Sequence, residues 1–344
     1  MVNVSIIIPI YNVEAYIERC LRSVMAQTYS KIECILVNDC SPDGSMSVCQ
    51  KMLADYHGPI RFLTLCHDIN RGLSAARNTG TDVATGDYIF YLDSDDEISP
   101  DCISLMVNET KKHPNVEIVS GAINPIPYFK QYDSPIYNSH KYLSDNYSIR
   151  LLYFSYGWQI YVMAWNKLVK RDFLHTNNIR FVEGILNEDE VWTFETILNC
   201  QSLSILPNKT YTHYDTTGSI MNSFNYASRC ESICTVLDNI VPMIRQPLAN
   251  LQTFRYTEYL LLAYYGVQRQ RHMVITKNLS HLLVKYCSPF LAMKLFLFLR
   301  FNATFHLHKY QNKLAGKFDM VYAKVSYSEQ RKLFKVRHNQ MQVV

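Results

Sequence analysis

The sequence predicts an α/β fold: a mostly parallel central sheet flanked by helices. Three observations support it. Short β-branched or apolar runs at residues 4–10, 32–37, 60–65 and 88–92 alternate with segments of helical period, which is how a parallel sheet with helices on both faces reads. Three of these runs end in polar turns, Tyr11-Asn12, Asp39 and Asp93-Ser94-Asp95. The 344 residues are 48% hydrophobic and 19% charged, enough apolar material for a sizeable core and unlike a disordered chain.

In order along the chain, residues 4–10 form the first strand and turn at Pro9-Ile10-Tyr11-Asn12. Residues 14–27 place Ile17, Leu21, Val24 and Met25 at helical spacing. The second strand, 32–37, runs into the turn-rich Asn38-Asp39-Cys40-Ser41-Pro42-Asp43-Gly44, and a helix continues to about residue 56. After a third strand at 60–65, residues 70–78 open a helix that Gly86 ends. Strand 88–92 stops at Asp93. Ser99-Pro100 reads as an N-cap followed by proline at the first helical position, starting a helix to about 113, and residues 117–120 are a further strand. Residues 122–148, rich in Pro, Tyr, Asn and Ser without a period, read as a loop insertion near the site. A helix at 149–156, a short strand at 165–169, a helix at 187–199 and short strands at 203–206 and 210–214 follow. From about residue 226 long apolar-periodic segments, broken at Pro247, Pro289 and around Gly316, read as helices. The expected division is a domain at 1–220 and a helical region at 221–344.

The net charge of +4 conceals an asymmetry. Residues 267–344 carry 14 basic and 2 acidic side chains, a net +12, and the first 266 residues a net −8. A basic segment attracts polyanions. No nucleic-acid motif accompanies it, so a membrane surface or a lipid diphosphate is the expected partner, and no nucleic acid. The ten cysteines include no C-x-x-C pair, which speaks against a zinc module or disulfide framework and for a reducing compartment. No signal peptide is visible. The longest apolar stretch, 289–301, is broken by Lys294 and Arg300 and is shorter than the roughly 20 residues that span a bilayer.

The chemistry concentrates at strand ends. In a parallel sheet the three polar turns fall on one edge, where α/β folds bind ligands. Three carboxylates within the four residues 93–96 repel one another and are tolerable around a divalent cation; the plainer reading is a solvated acidic turn. There is no P-loop and no G-x-G-x-x-G, so neither a P-loop NTPase nor a Rossmann dehydrogenase is indicated. A nucleotidyltransferase would require a G-x-G-x-R-type loop after the first strand, where this chain has Pro9-Ile10-Tyr11-Asn12.

Five stretches together resemble the inverting glycosyltransferases of family 2, which have the GT-A fold. They are Ser5 to Asn12, Val37 to Gly44, Asn70 to Asn78, Gly86 to Asp96, and Asn187-Glu188-Asp189-Glu190. The likeness covers about residues 3–220. It departs at the second strand end, where Asn38-Asp39-Cys40-Ser41 stands for the family's Asp-Asp-Gly-Ser; the base-binding position, Asp39, is retained.

The resemblance implies that Pro9, Tyr11 and Glu14 shape the nucleotide pocket and that Asp39 holds a base, expected to be uracil. Gly72 and Arg77 line the diphosphate and ribose side, although a buried ion pair is the structural alternative for Arg77. Asp93, Ser94 and Asp95 form the D-x-D motif, with Asp95 and then Asp93 as ligands of Mn²⁺ or Mg²⁺; Asp96 either binds the metal or supports a ligand. Cys40 is a small turn residue. Asp189 is the expected general base, because inversion is a single displacement in which one carboxylate takes the acceptor hydroxyl's proton; otherwise 187–190 simply complements a helix dipole. Glu188 is expected to bind acceptor hydroxyls, and Trp165 either stacks on an acceptor sugar or is core. His213 is either a metal or phosphate contact or an ordinary strand residue.

The expected activity is transfer of a hexose or N-acetylhexosamine from a nucleotide sugar, a UDP-sugar, to a glycan on a polyprenyl-diphosphate carrier. The expected setting is capsular polysaccharide or O-antigen assembly at the inner face of the cytoplasmic membrane. The competing reading is a non-catalytic nucleotide-sugar-binding subunit. The helices around 285–300 either lie on the membrane or cap the catalytic domain.

Overall fold

A computed structural model describes residues 1–124, 134–155, 160–216, 232, 235–249 and 251–252. The first half alternates as its apolar runs require: β1 (Val4–Ile10), α1 (Ile17–Met25), β2 (Ile32–Asn38), α2 (Ser45–Ala54), β3 (Arg61–Cys66), α3 (Leu73–Val83) and β4 (Tyr88–Tyr91). Every residue of β1 and β4 is buried, as expected of parallel strands covered on both faces. α1 buries Ile17, Cys20, Leu21 and Val24, one helical stripe. α3 buries a face of small residues. A Cβ on its Gly80 would stand 2.4 Å from the Ile7 side chain, so the helix lies close against β1.

The second half comprises β5 (Glu97–Ile98), α4 (Cys102–Lys112), β6 (Ile118–Ile123), β7 (Lys141–Leu143), α5 (Asn146–Ser155), β8 (Lys167–Lys170), α6 (Arg171–Thr176), α7 (Glu188–Asn199) and β9 (Leu203–Thr212). The nine strands form one sheet in the order β3-β2-β1-β4-β8-β6-β9-β5, with β7 also paired to β9. β3, β2, β1 and β4 are mutually parallel. β8 enters between β4 and β6, antiparallel to both, and β6 pairs parallel with β9.

Several expectations are corrected. The strand near Trp165 begins at Lys167. The two short strands after 203 are one strand that bows out at the exposed Pro207 and Asn208. The insertion at 122–148 contributes β7 and a 3₁₀ turn, Pro135–Asn138. α4 starts after Asp101 rather than at Pro100.

By its contacts the chain divides into two units, Met1–Ile149 with Trp158–Ser223, and Arg150–Gly157 with Phe224–Val344. In the second unit the buried Arg150 guanidinium donates to the carbonyls of Arg245 at 2.7 Å and of Pro247. Burial, with the charge of Arg245, pushes Arg150 down to about 10. Most of the helical region expected at 221–344, including the 285–300 segment, lies outside the described residues. No described helix is long and apolar enough to cross a membrane.

Candidate active site

Because β1, β2 and β4 run parallel, their C-terminal ends bring Tyr11, Asp39 and Asp93 to one edge of the sheet. Tyr11 is 47% exposed there. Pro9 lies buried in β1 opposite Val37 and contributes to the strand rather than to an exposed wall. Asp39 is buried. Its carboxylate accepts the backbone N–H groups of Arg71 at 2.8 Å and Gly72 at 2.7 Å, and pairs with His67 Nδ1 at 2.6 Å. His67 in turn reaches Thr79 Oγ1 at 2.9 Å. Asp39 therefore holds the loop that opens α3. Gly72 has φ 88°, a left-handed conformation that favours glycine, and the space where a Cβ would sit is open. Cys40 has φ 58° and fills a turn position.

Glu14 joins two loops. Its carboxylate accepts the Gly44 N–H at 2.8 Å, and its own N–H donates to Asp43 at 2.8 Å. Asp43 also accepts from the Ser41 hydroxyl and from the Ser45 N–H and hydroxyl. Burial works against the Asp43 charge, but these bonds hold its carboxyl down at about 2. Glu14 thus ties the turn after β1 to the start of α2.

The centre of the site is Arg77, on α3 and 1% exposed. One guanidinium nitrogen donates to Glu188 and to Asp189, each at 2.9 Å, and another donates to Asp93 at 2.8 Å. Of the two readings open for Arg77, the buried ion pair is present: its guanidinium is turned into a three-carboxylate cluster. Burial opposes the Arg77 charge, but the three carboxylates outweigh it and raise its proton affinity. Three anions around one cation leave an excess of negative charge. Burial and the Asp189 charge push Glu188 up to about 7. Burial, with the charge of Asp93 and against the pull of Arg77, raises Asp189 as well.

An aromatic layer fixes this cluster. Trp192, one turn along α7 from Asp189, meets Tyr91 edge-on at 5.8 Å and stacks on Phe181 at 5.2 Å. Phe181 also faces the Arg77 guanidinium at 5.1 Å. Tyr91 lies two residues before Asp93, so the packing of α7 against β4 sets where the carboxylates meet.

The rest of the acidic loop is held from β9 and beyond. Asp96, fully buried, accepts from Tyr211 Oη at 2.7 Å and the Tyr214 N–H at 2.9 Å, and pairs with His213 Nδ1 at 3.0 Å. Burial pushes Asp96 up to about 6 despite His213. For His213, burial is outweighed by Asp96 and the other carboxylates, and its proton affinity rises. His213 thus meets Asp96 and is no plain strand residue. Ser94 is buried. Asp95 accepts from the Thr216 hydroxyl at 2.8 Å, and its carbonyl accepts from Arg19. Burial and the charge of Asp93 raise Asp95. A divalent cation relieves crowding of that kind at a carboxylate, so Asp95, with Asp93 beside it in the same loop, offers oxygen donors suited to such an ion. Trp165 is 4% exposed and stacks on Tyr211 at 4.3 Å and His213 at 5.5 Å. Of its two readings, sugar platform or core, this packing matches the core one: Trp165 stands behind the pair of Tyr211 and His213 that holds Asp96.

Sequence reasoning gave no role to Lys167, two residues from the Trp165 it singled out. Lys167 is 2% exposed, donates to the Met163 carbonyl, and is pushed down to about 7 by burial, with Asp189 acting the other way. The adjacent Asn166 has φ 59° and donates to the carbonyls of Gly121 and Ala122. His67, Tyr211 and Trp192 were also missed; each is an ordinary residue type until its partners are placed.

The family model described as glycosyl transferase family 2 matches residues 5–175. The cholesterol galactosyltransferase of Borreliella burgdorferi is 26% identical over 82% of this chain and 79% of its own. Further curated bacterial glycosyltransferases match at 29–30% identity, and the chain spans about three fifths of their length. The crystal structure of S. aureus TarS 1-349 in complex with UDP-GlcNAc superposes with TM-score 0.68 at 18% identity, over 96% of this chain and 92% of that one. The mannosyltransferase PcManGT of Pyrobaculum calidifontis, in complex with GDP-Man and Mn²⁺, superposes with TM-score 0.57 at 16% identity, over 94% and 86%. The fold is that of GT-A enzymes, and the chain belongs to glycosyl transferase family 2, a family of glycosyltransferase enzymes.

Proposed function

We propose that this glycosyltransferase carries out a metal-dependent, inverting transfer of one hexose or N-acetylhexosamine from a UDP-sugar to a hydroxyl of a glycan acceptor. The observation that carries the reading is the Arg77 hub: a single guanidinium binds Asp93 of the acidic loop and Asp189 of α7. Asp189 takes the proton of the attacking hydroxyl. Its raised proton affinity makes it a stronger base than a solvated carboxylate, and Arg77, Lys167 and the Ala164 N–H hold it in place. Glu188 stands beside it, on the acceptor side. Asp95 and Asp93 hold a divalent cation, Mn²⁺ or Mg²⁺, which when bound neutralises the diphosphate leaving group. The UDP-GlcNAc bound by TarS and the Mn²⁺ bound by PcManGT are consistent with this donor and ion class.

The acceptor in this proposal is a polyprenyl-diphosphate-linked glycan of capsular or O-antigen assembly, met at the inner face of the cytoplasmic membrane. Peripheral contact through the basic residues beyond 267 would supply the attraction. The test is nucleoside diphosphate release from a panel of nucleotide sugars, with Mn²⁺ or Mg²⁺ and a lipid-linked acceptor extract. Release from a UDP-sugar, abolished by EDTA and by Asp95→Ala, is expected. Turnover indifferent to both changes rejects the metal, and release only from GDP- or dTDP-sugars rejects the uridine donor.

A further inference from the structure

Glu109, His113 and His140 share no hydrogen bond or ion pair with the Arg77 hub, and the proposed transfer does not use them. Glu109 lies in the last turn of α4, and His113 is the capping residue just past its end, its N–H donating to the Glu109 carbonyl at 2.8 Å. His140 immediately precedes β7, whose Tyr142 stands opposite Ser204 of β9. One potential ligand atom from each of the three lies within 4.8 Å of the other two. The Glu109 side chain is 2% exposed. One of its oxygens takes Lys112 Nζ at 2.7 Å; the other faces His140 Nε2 at 2.6 Å and accepts the Ser204 hydroxyl at 2.9 Å. The His113 ring lies flat on Tyr142, with centroids 3.7 Å apart and planes 7° apart, which fixes its orientation.

We propose that Glu109, His113 and His140 form a site for one Zn²⁺ ion. Two imidazole nitrogens and one carboxylate oxygen are a zinc ligand set, whereas Mg²⁺ prefers all-oxygen shells. Zinc bonds of about 2.0–2.1 Å in tetrahedral geometry set ligand atoms roughly 3.4 Å apart. Entry of the ion therefore replaces the His140–Glu109 hydrogen bond and opens that pair by less than about 1 Å, a shift open to a side chain that is 42% exposed. Lys112 and Ser204 hold the carboxylate from outside, as partners behind a metal ligand do. Water completes the shell on the exposed side of His140. The bound ion clips α4 to β7 and holds the edge at β9, a structural role away from the sugar-transfer chemistry.

The test uses the full chain, stripped with EDTA and desalted, then titrated with ZnCl₂ by calorimetry and thermal unfolding. One equivalent is expected to bind with a micromolar or tighter Kd and to raise Tm. His140→Ala and His113→Ala each should weaken binding at least 30-fold and remove the Tm rise, whereas Asp95→Ala should retain both effects. Circular dichroism of His140→Ala confirms that the fold persists. Equal zinc binding in wild type and His140→Ala, loss of binding in Asp95→Ala alone, or a wild-type Kd weaker than 0.1 mM would each overturn the proposal and leave the three residues as an ion-paired cluster. None of these results bears on UDP-sugar turnover, so the transfer reading stands or falls separately.

Discussion

Asp43 and Asp189 are both partly buried aspartates at the rim of one sheet, and the structure uses them in opposite ways. Asp43 receives neutral donors only, two hydroxyls and two backbone N–H groups from Ser41, Ser45 and Glu14, and they favour its charged form, holding its carboxyl down at about 2. Asp189 shares a single guanidinium with Asp93 and Glu188, and its proton affinity is raised. A carboxylate ringed by dipoles is a structural part with no further appetite for protons. A carboxylate crowded by its own kind stays ready to accept one.

The sharpest way to break this contrast is Asp189→Asn. It should lower kcat by about 10²–10⁴-fold with donor affinity little changed, measured by steady-state kinetics beside calorimetric titration of the nucleotide sugar; full activity would sink the role of Asp189. Next in size is Arg77→Met, which leaves buried carboxylates without their cation and should cost about 3–5 kcal/mol, read from urea unfolding. Asp43→Ala should cost less, about 1–3 kcal/mol from orphaned donors. Its contribution carries a definite sign with pH. The folded pKa lies below the unfolded one, so the stabilisation is present above roughly pH 4 and lost as the pH falls through about 2. The difference in stability between wild type and Asp43→Ala should therefore shrink in acid. The smallest effect expected is Glu188→Gln. Removing one negative charge beside Asp189 lets Arg77 hold Asp189 lower, so the acid limb of kcat/KM should move to lower pH. An unmoved limb would mean that the two carboxylates do not share the hub.

The half of the fold built from local patterns was legible in the sequence. β1 to β4 and α1 to α4 follow from apolar runs and 3.6-residue stripes, and their parallel order put Tyr11, Asp39 and Asp93 on one edge before any coordinates. β8 was not legible in its setting, because nothing in a four-residue strand states that it will enter between β4 and β6. β7, with three residues, and α6, with six, are too short to show a period. Pro207 and Asn208 made β9 look like two strands. At the site the motifs named Asp93, Asp95, Glu188 and Asp189, yet no motif could say that Arg77 would face all but Asp95. Partnership of that kind depends on α3 and α7 meeting in space. Trp165 stayed open between core and sugar platform for the same reason: an aromatic residue shows its size in a sequence but not which side of it stays wet.

The placement of β8 has a consequence for where the chain can be cut. β4 is buried at all four residues, and among the described residues its outer flank is closed by a strand made of residues 167–170. A fragment ending earlier would leave Tyr88–Tyr91 as a bare, apolar edge open to pairing with other chains. The family-model match ends at residue 175, five residues past the last of β8. Truncation therefore has a natural lower bound here, set by the strand that shields β4 from its own copies.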